Sequence, residues 1–260
     1  MRRSVAALVT AAGVAFLIAG CSSPSSGRHG SDAAQTGAGG AVAAAAVPAA
    51  TASNTVRLGL VAAAGDASAL VGIGDSLFRK DLGAGVLFQP VRFGSSAAAE
   101  AALAAGRLEA AYLSPVSAVA AWQATRGQVK VVSGAASREG QSSVVLVVTA
   151  KFLAAGAVKV QGLLKGQLQA SQLLQADPVV AWRMAAGELT ALGQHTSPPQ
   201  FAREAARLRF SCDPGEPSVL EQAQHAAAAR TLKPVSSLAS IYELEPVDLL
   251  LRAAGMAPVT

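Results

Sequence analysis

Val86-Leu87-Phe88-Gln89-Pro90-Val91-Arg92-Phe93 is a mostly apolar run with β-branched and aromatic residues, and it reads as a strand. Gly94-Ser95-Ser96 follows, then an alanine-rich run from Ala97 to Ala105 that stops at Gly106. Serine ahead of strong helix formers is an N-cap signal, and glycine beyond them is a stop. Leu108 to Leu113 reads as a second strand, and Ser114-Pro115 opens a second helix that runs to Trp122, with proline tolerated in the first turn. Strand, helix, strand, helix at this spacing is a βαβ unit, which requires a parallel sheet.

In such sheets ligands sit at the loops leaving the carboxyl ends of the strands. Both loops here are short, bear serine (Ser95, Ser96 and Ser114) and end at helix N-termini. Backbone N–H groups there suit a small anion. The same serines also read as ordinary helix caps.

Working back to the start, Arg2 and Arg3 precede an apolar run from Val5 to Ile18, and then Ala19-Gly20-Cys21. This is the form of a secretory signal peptide over residues 1–20, too short for a spanning helix of about 20 apolar residues. Leu17-Ile18-Ala19-Gly20-Cys21 resembles the lipobox of bacterial lipoproteins. That resemblance implies cleavage before Cys21 and acyl chains on it, hence a membrane anchor facing the extracytoplasmic side. Residues 21–54 then form a tether rich in Ser, Gly and Ala, and residues 55–260 the folded domain.

Within that domain Val56 to Val61 is the first strand, and Asp66 caps a helix over Ala67–Leu82. Val129 to Val132 is the fourth strand, Ser133-Gly134-Ala135-Ala136-Ser137 a third Ser/Gly loop, and Ser143 to Val148 a continuous apolar strand. Helical patterns follow over residues 150–174, 178–192, 197–208 (opened by Ser197-Pro198-Pro199), 218–230 and 246–254. Five strands followed by helices make one core rather than two. The formal charge of +5 falls to +3 once Arg2 and Arg3 leave. With no basic cluster interleaved with aromatics, a nucleic-acid partner is not expected.

Ala67-Ser68-Ala69-Leu70-Val71-Gly72-Ile73, the loop after Phe93, Ala111-Tyr112-Leu113-Ser114-Pro115 and Val131 to Ser137 occur in that order. Lys151-Phe152-Leu153, Asp213-Pro214, Leu232-Lys233-Pro234-Val235 and Ile241-Tyr242 follow them. In this the chain resembles solute-binding proteins of ABC importers, of the nitrate, sulfonate, taurine and thiamine-precursor type. The resemblance implies an α/β, periplasmic-binding-protein type II-like fold, a small anionic solute as ligand and an ABC permease as partner. Asp66, Ser95, Ser96, Ser114, Ser133 and Ser137 are then the candidate ligand-binding residues. Two departures stand out. Gly65-Asp66-Ala67-Ser68 replaces the family's usual Thr-His-Ala-Pro, and Arg138-Glu139-Gly140-Gln141 runs straight into one apolar strand where the family inserts a second lobe. A single lobe with a mainly parallel sheet covered by C-terminal helices is expected. An apolar surface left near Val144 to Val148 would favour self-association.

Enzyme chemistry finds no support. There is no G-x-S-x-G elbow, Gly72-Ile73-Gly74 lacks the third glycine of a dinucleotide fingerprint, and His195 and His225 have no paired acid or thiol at ligand spacing. No cofactor is expected. The alternative to transport is an envelope lipoprotein that uses one binding-protein lobe to contact another protein.

Overall fold

Strands β1 (Thr55–Leu60), β2 (Leu87–Arg92), β3 (Ala110–Leu113), β4 (Val129–Arg138) and β5 (Gln141–Thr149) make one sheet, ordered β2-β1-β3-β5-β4. β1 is parallel to β2 and β3, while β5 is antiparallel to β3 and β4. Four strands therefore point one way and β5 returns against them. This computed structural model describes residues 54–194 and 197–259. The expected signal peptide, Cys21 and nearly all of the tether lie outside the described residues.

The pleat sends alternate side chains to opposite faces. Val56, Leu58, Leu60, Tyr112, Leu146 and Val148 join one apolar cluster, and Ala111, Leu113, Val129, Val131, Val145 and Val147 join the other. The helices in order are α1 (Ala67–Gly74), α2 (Leu77–Leu82), α3 (Ser96–Ala104), α4 (Pro115–Ala124) and α5 (Ala150–Ala155). After them come α6 (Ala157–Ala176), α7 (Pro178–Ala191), α8 (Pro198–Ala205), α9 (Glu216–Ala228) and α10 (Glu245–Ala253). Buried residues of α3, α4 and α9 belong to the second cluster, and those of the other helices to the first. Val145 to Val148 are fully buried, so the apolar run is covered on both faces. The apolar surface expected to favour self-association is therefore not exposed.

One expected helix is two. Ser76 takes a left-handed φ of 58° and separates α1 from α2. The break turns Phe78 back onto Gly72 and Gly166, where an added Cβ would lie 2.5 Å and 2.6 Å from its ring. Helix propensity over Ala67–Leu82 gives way to burial of that ring, which is fully enclosed.

β4 and β5 are joined by Glu139-Gly140 alone, both at positive φ (50° and 81°), as tight two-residue hairpin turns require. The hairpin stands where the resemblance expects a second lobe. The described chain is one lobe.

The segment Ser133 to Ser137, expected as a loop, lies inside β4. Its Ser/Gly/Ala composition reflects a bulged strand whose outer edge is covered. Ser137 exchanges two backbone hydrogen bonds of 2.8 Å with Arg209, and Gly134 N donates to Cys212 O at 2.7 Å. A Cβ on Gly134 would stand 2.0 Å from Asp213 O, so only glycine lets that segment lie flat against the strand.

Candidate functional site

The carboxyl ends of β1, β2 and β3 lie side by side, with β1 between its two parallel neighbours. α3 and α4 start there because each is capped by the serine leaving its strand. Ser95 Oγ accepts from Ala98 N at 3.2 Å and Ser114 Oγ from Ser117 N at 3.3 Å. Ser96 Oγ accepts from Ser114 N at 2.8 Å and ties the two loops together. Ser95, Ser96 and Ser114 thus form one wall, with Gly94 and Ser95 exposed. Glu100 borders it: burial raises its pKa, and the Ser117 hydroxyl pulls it back in part.

Asp66 is placed differently. It is 3% exposed, and its Oδ2 accepts from Val61 N at 3.1 Å and Ala63 N at 3.3 Å. The carboxylate therefore staples the loop after β1. Burial raises its pKa to about 6, against the opposing pull of those backbone N–H groups. Ser133 is fully buried, its hydroxyl donating to Gly134 O at 2.7 Å, and Ser137 is half-buried at the edge of β4. Their hydrogen bonds run to Gly134, Cys212 and Arg209.

Behind the wall runs a buried polar chain that the sequence reading missed. Tyr112 Oη donates to Gln167 Oε1 at 2.6 Å, and Gln167 Nε2 donates to Gly134 O at 3.3 Å and Ser171 Oγ at 3.2 Å. It links β3 and β4 to α6. The phenol is pushed well above its ordinary pKa by burial first and by the charge of Asp66 second. The available signal was a lone glutamine among Leu163, Leu164, Leu168 and Ala170, since a buried amide needs partners.

Two concavities lie at the opposite end of the sheet. One of about 250 Å³ is lined by Arg57, Leu108, Glu109, Lys151, Phe152 and Lys159. A second, open groove of about 640 Å³ runs past Trp122, Arg126, Lys130 and Lys233. Among the described residues no group of three His, Cys, Asp or Glu is placed to hold a metal, and no helix is long and apolar enough to cross a membrane.

No protein-family model matches the sequence, and no curated protein does either. Solved structures do match in shape. A Candida albicans protein described as having the generic periplasmic binding protein fold superposes with a TM-score of 0.58 at 8% identity, over 73% of this chain and 96% of that one. The chain has the periplasmic-binding-protein fold. Two further structures share this binding-protein fold. A zinc-bound ligand-binding component of an ABC-type import system from Staphylococcus aureus has a TM-score of 0.59 at 10% identity, covering 75% of this chain and 98% of that one. The alkanesulfonate-binding protein SsuA from Xanthomonas axonopodis pv. citri, bound to MOPS, has a TM-score of 0.55 at 11% identity, covering 74% and 99%. Within the binding-protein fold the serine wall occupies the strand ends, where open α/β sheets take their ligands.

Proposed function

We propose that the protein is the lipid-anchored, extracytoplasmic substrate-binding component of an ABC importer for small anions such as aliphatic sulfonates, taurine or nitrate, or a shortened descendant of one. The observation that carries this reading is the convergence of the α3 and α4 N-termini, joined by the Ser114 N–H to Ser96 Oγ hydrogen bond. The first-turn N–H groups of a helix lack intrahelical partners, and the helix dipole adds positive character there. Glu100 at the border and Asp66 beneath oppose a plain anion, so a ligand that also carries an amine, as taurine does, fits better. A single wall leaves most of the ligand in water. A few exposed contacts of ~1 kcal/mol each support binding only in the millimolar range.

Calorimetry at millimolar taurine, ethanesulfonate and nitrate tests this. Heat with taurine and less with ethanesulfonate supports the reading, and Glu100→Gln should narrow the gap between them. No heat with any of the three would sink the transport reading. The front-runner would then be a non-transport envelope lipoprotein that contacts another protein. The bonds that already occupy Asp66 and Ser96 inside the lobe favour that second reading. The anchor is tested separately by metabolic labelling with a tagged fatty acid. The label should be lost in Cys21→Ala, and wild type that takes up none is not a lipoprotein.

A further inference from the structure

The positive charge on this lobe is weighted toward one end. Arg57, Glu109, Thr149 and Val129 share a rung at the start of β1, β3 and β4 and the finish of β5: Glu109 N donates to Arg57 O, Thr149 N to Glu109 O, and Thr149 pairs with Val129. Around this rung stand Arg107, Arg126, Lys130, Lys151, Lys159 and Lys233, whose segments line the two concavities there. Two acids at this end are already matched, while Glu243, whose N–H donates to Val131 O, and Glu245, beside Leu153 and Ala157, also lie near it. Glu109 Oε1 takes the Arg57 guanidinium at 2.7 Å, and Asp81 Oδ1 takes Lys165 Nζ at 2.9 Å. The opposite end carries Asp66, Glu100, Glu139 and Glu221, the last within 3.5 Å of the Gln141 side chain beside the β4–β5 turn. Its exposed cations are Arg92, Arg138 and Arg209, with Arg203 and Arg207 on α8 and the segment after it.

The chain from residues 1–53 joins the described structure at Asn54, whose carbonyl accepts from Leu87 N at the start of β2. The described chain therefore begins at the basic end of the sheet.

We propose that the basic end is a docking surface for anionic phospholipid, which seats the lobe on the membrane with its serine wall turned outward. The orientation rests on the anchor reading above; the affinity for anionic lipid does not. Exposed lysine and arginine gain from the negative surface potential of such a bilayer, and salt weakens that gain. The groove along Trp122, Lys130 and Lys233 is wide and open, which suits a headgroup layer better than a buried small molecule.

The test is co-sedimentation of the unacylated chain starting at Ser22 with vesicles of phosphatidylcholine, with and without phosphatidylglycerol. Binding is expected only with phosphatidylglycerol and should weaken as salt rises. Arg107→Gln/Lys151→Gln/Lys233→Gln removes three exposed cations from the basic end, and at about fivefold per charge the partition coefficient should fall about a hundredfold. Arg92→Gln/Arg138→Gln/Arg209→Gln removes the same charge from the other end and should keep most of the binding. Circular dichroism confirms that both triples are folded. Equal losses in the two triples would show that only net charge matters and overturn the proposal, as would binding indifferent to phosphatidylglycerol. An absence of acyl chain on Cys21 leaves the vesicle result unchanged, so the two readings fail separately.

Discussion

Replacing Asp66 with asparagine should change how the stability of this lobe responds to pH. The carboxyl titrates near 3.8 when unperturbed and at about 6 in the fold, because burial disfavours its charged form. The folded state therefore holds this proton more tightly than the unfolded chain does. Its contribution is fully present below the unfolded value and is lost as pH rises through about 6, which is opposite in sign to a salt-bridged carboxylate. At about 1.4 kcal/mol per tenfold in proton affinity, the loss amounts to about 3 kcal/mol once both states are ionised. Asparagine keeps an oxygen for the Val61 and Ala63 N–H groups but buries an amide group in need of a partner, a penalty of about 1–2 kcal/mol. The variant should thus be the less stable protein near pH 4 and the more stable one near neutral pH, by about 1 kcal/mol. Urea unfolding followed by tryptophan fluorescence across that range measures both curves. Glu100 and Glu188, also raised by burial, are present in both proteins and cancel in the difference. Parallel curves for wild type and Asp66→Asn would refute the buried, loop-stapling carboxylate.

Two further substitutions probe the packing. Gly134→Ala places a methyl group 2.0 Å from Asp213 O, so it should cost about 2 kcal/mol or more and speed hydrogen exchange at the Gly134 and Ser137 amides; unchanged exchange would mean that the 209–213 segment does not cover β4. Gln167→Ala leaves the Tyr112 hydroxyl buried without its acceptor and should cost about 3 kcal/mol, and the double variant with Tyr112→Phe should cost clearly less than the two singles summed. Strict additivity in urea unfolding would show that the 2.6 Å contact is not a stabilising hydrogen bond.

The parts of the fold legible in the sequence were those written in local chemistry. Ser95 and Ser114 ahead of alanine-rich runs mark the starts of α3 and α4, and both hydroxyls do cap first-turn N–H groups. The five strands and the βαβ order follow from apolar runs separated by such caps. What escaped depends on partners far along the chain. Ser133 to Ser137 has the composition of a loop and becomes a strand because Arg209 and Cys212 supply its outer hydrogen bonds. Asp66 has the sequence position of a helix cap, yet its carboxylate turns back onto Val61 and Ala63. The break at Ser76 follows from where Phe78 is buried, in part against Gly166, which lies far outside Ala67–Leu82. The excess of basic residues at one end is invisible in a net charge of +5, since Arg107, Lys151 and Lys233 are brought to one end only once the strands are paired.

The central claim is that the chain after residue 54 is one binding-protein lobe closed by a two-residue hairpin. Small-angle X-ray scattering on residues 54–260 tests it most directly. A single compact lobe of this length should give a radius of gyration of about 17 Å and a pair-distance distribution with one symmetric peak. A radius well above 20 Å, on the order of what two separated bodies give, together with a second shoulder in that distribution, would contradict it.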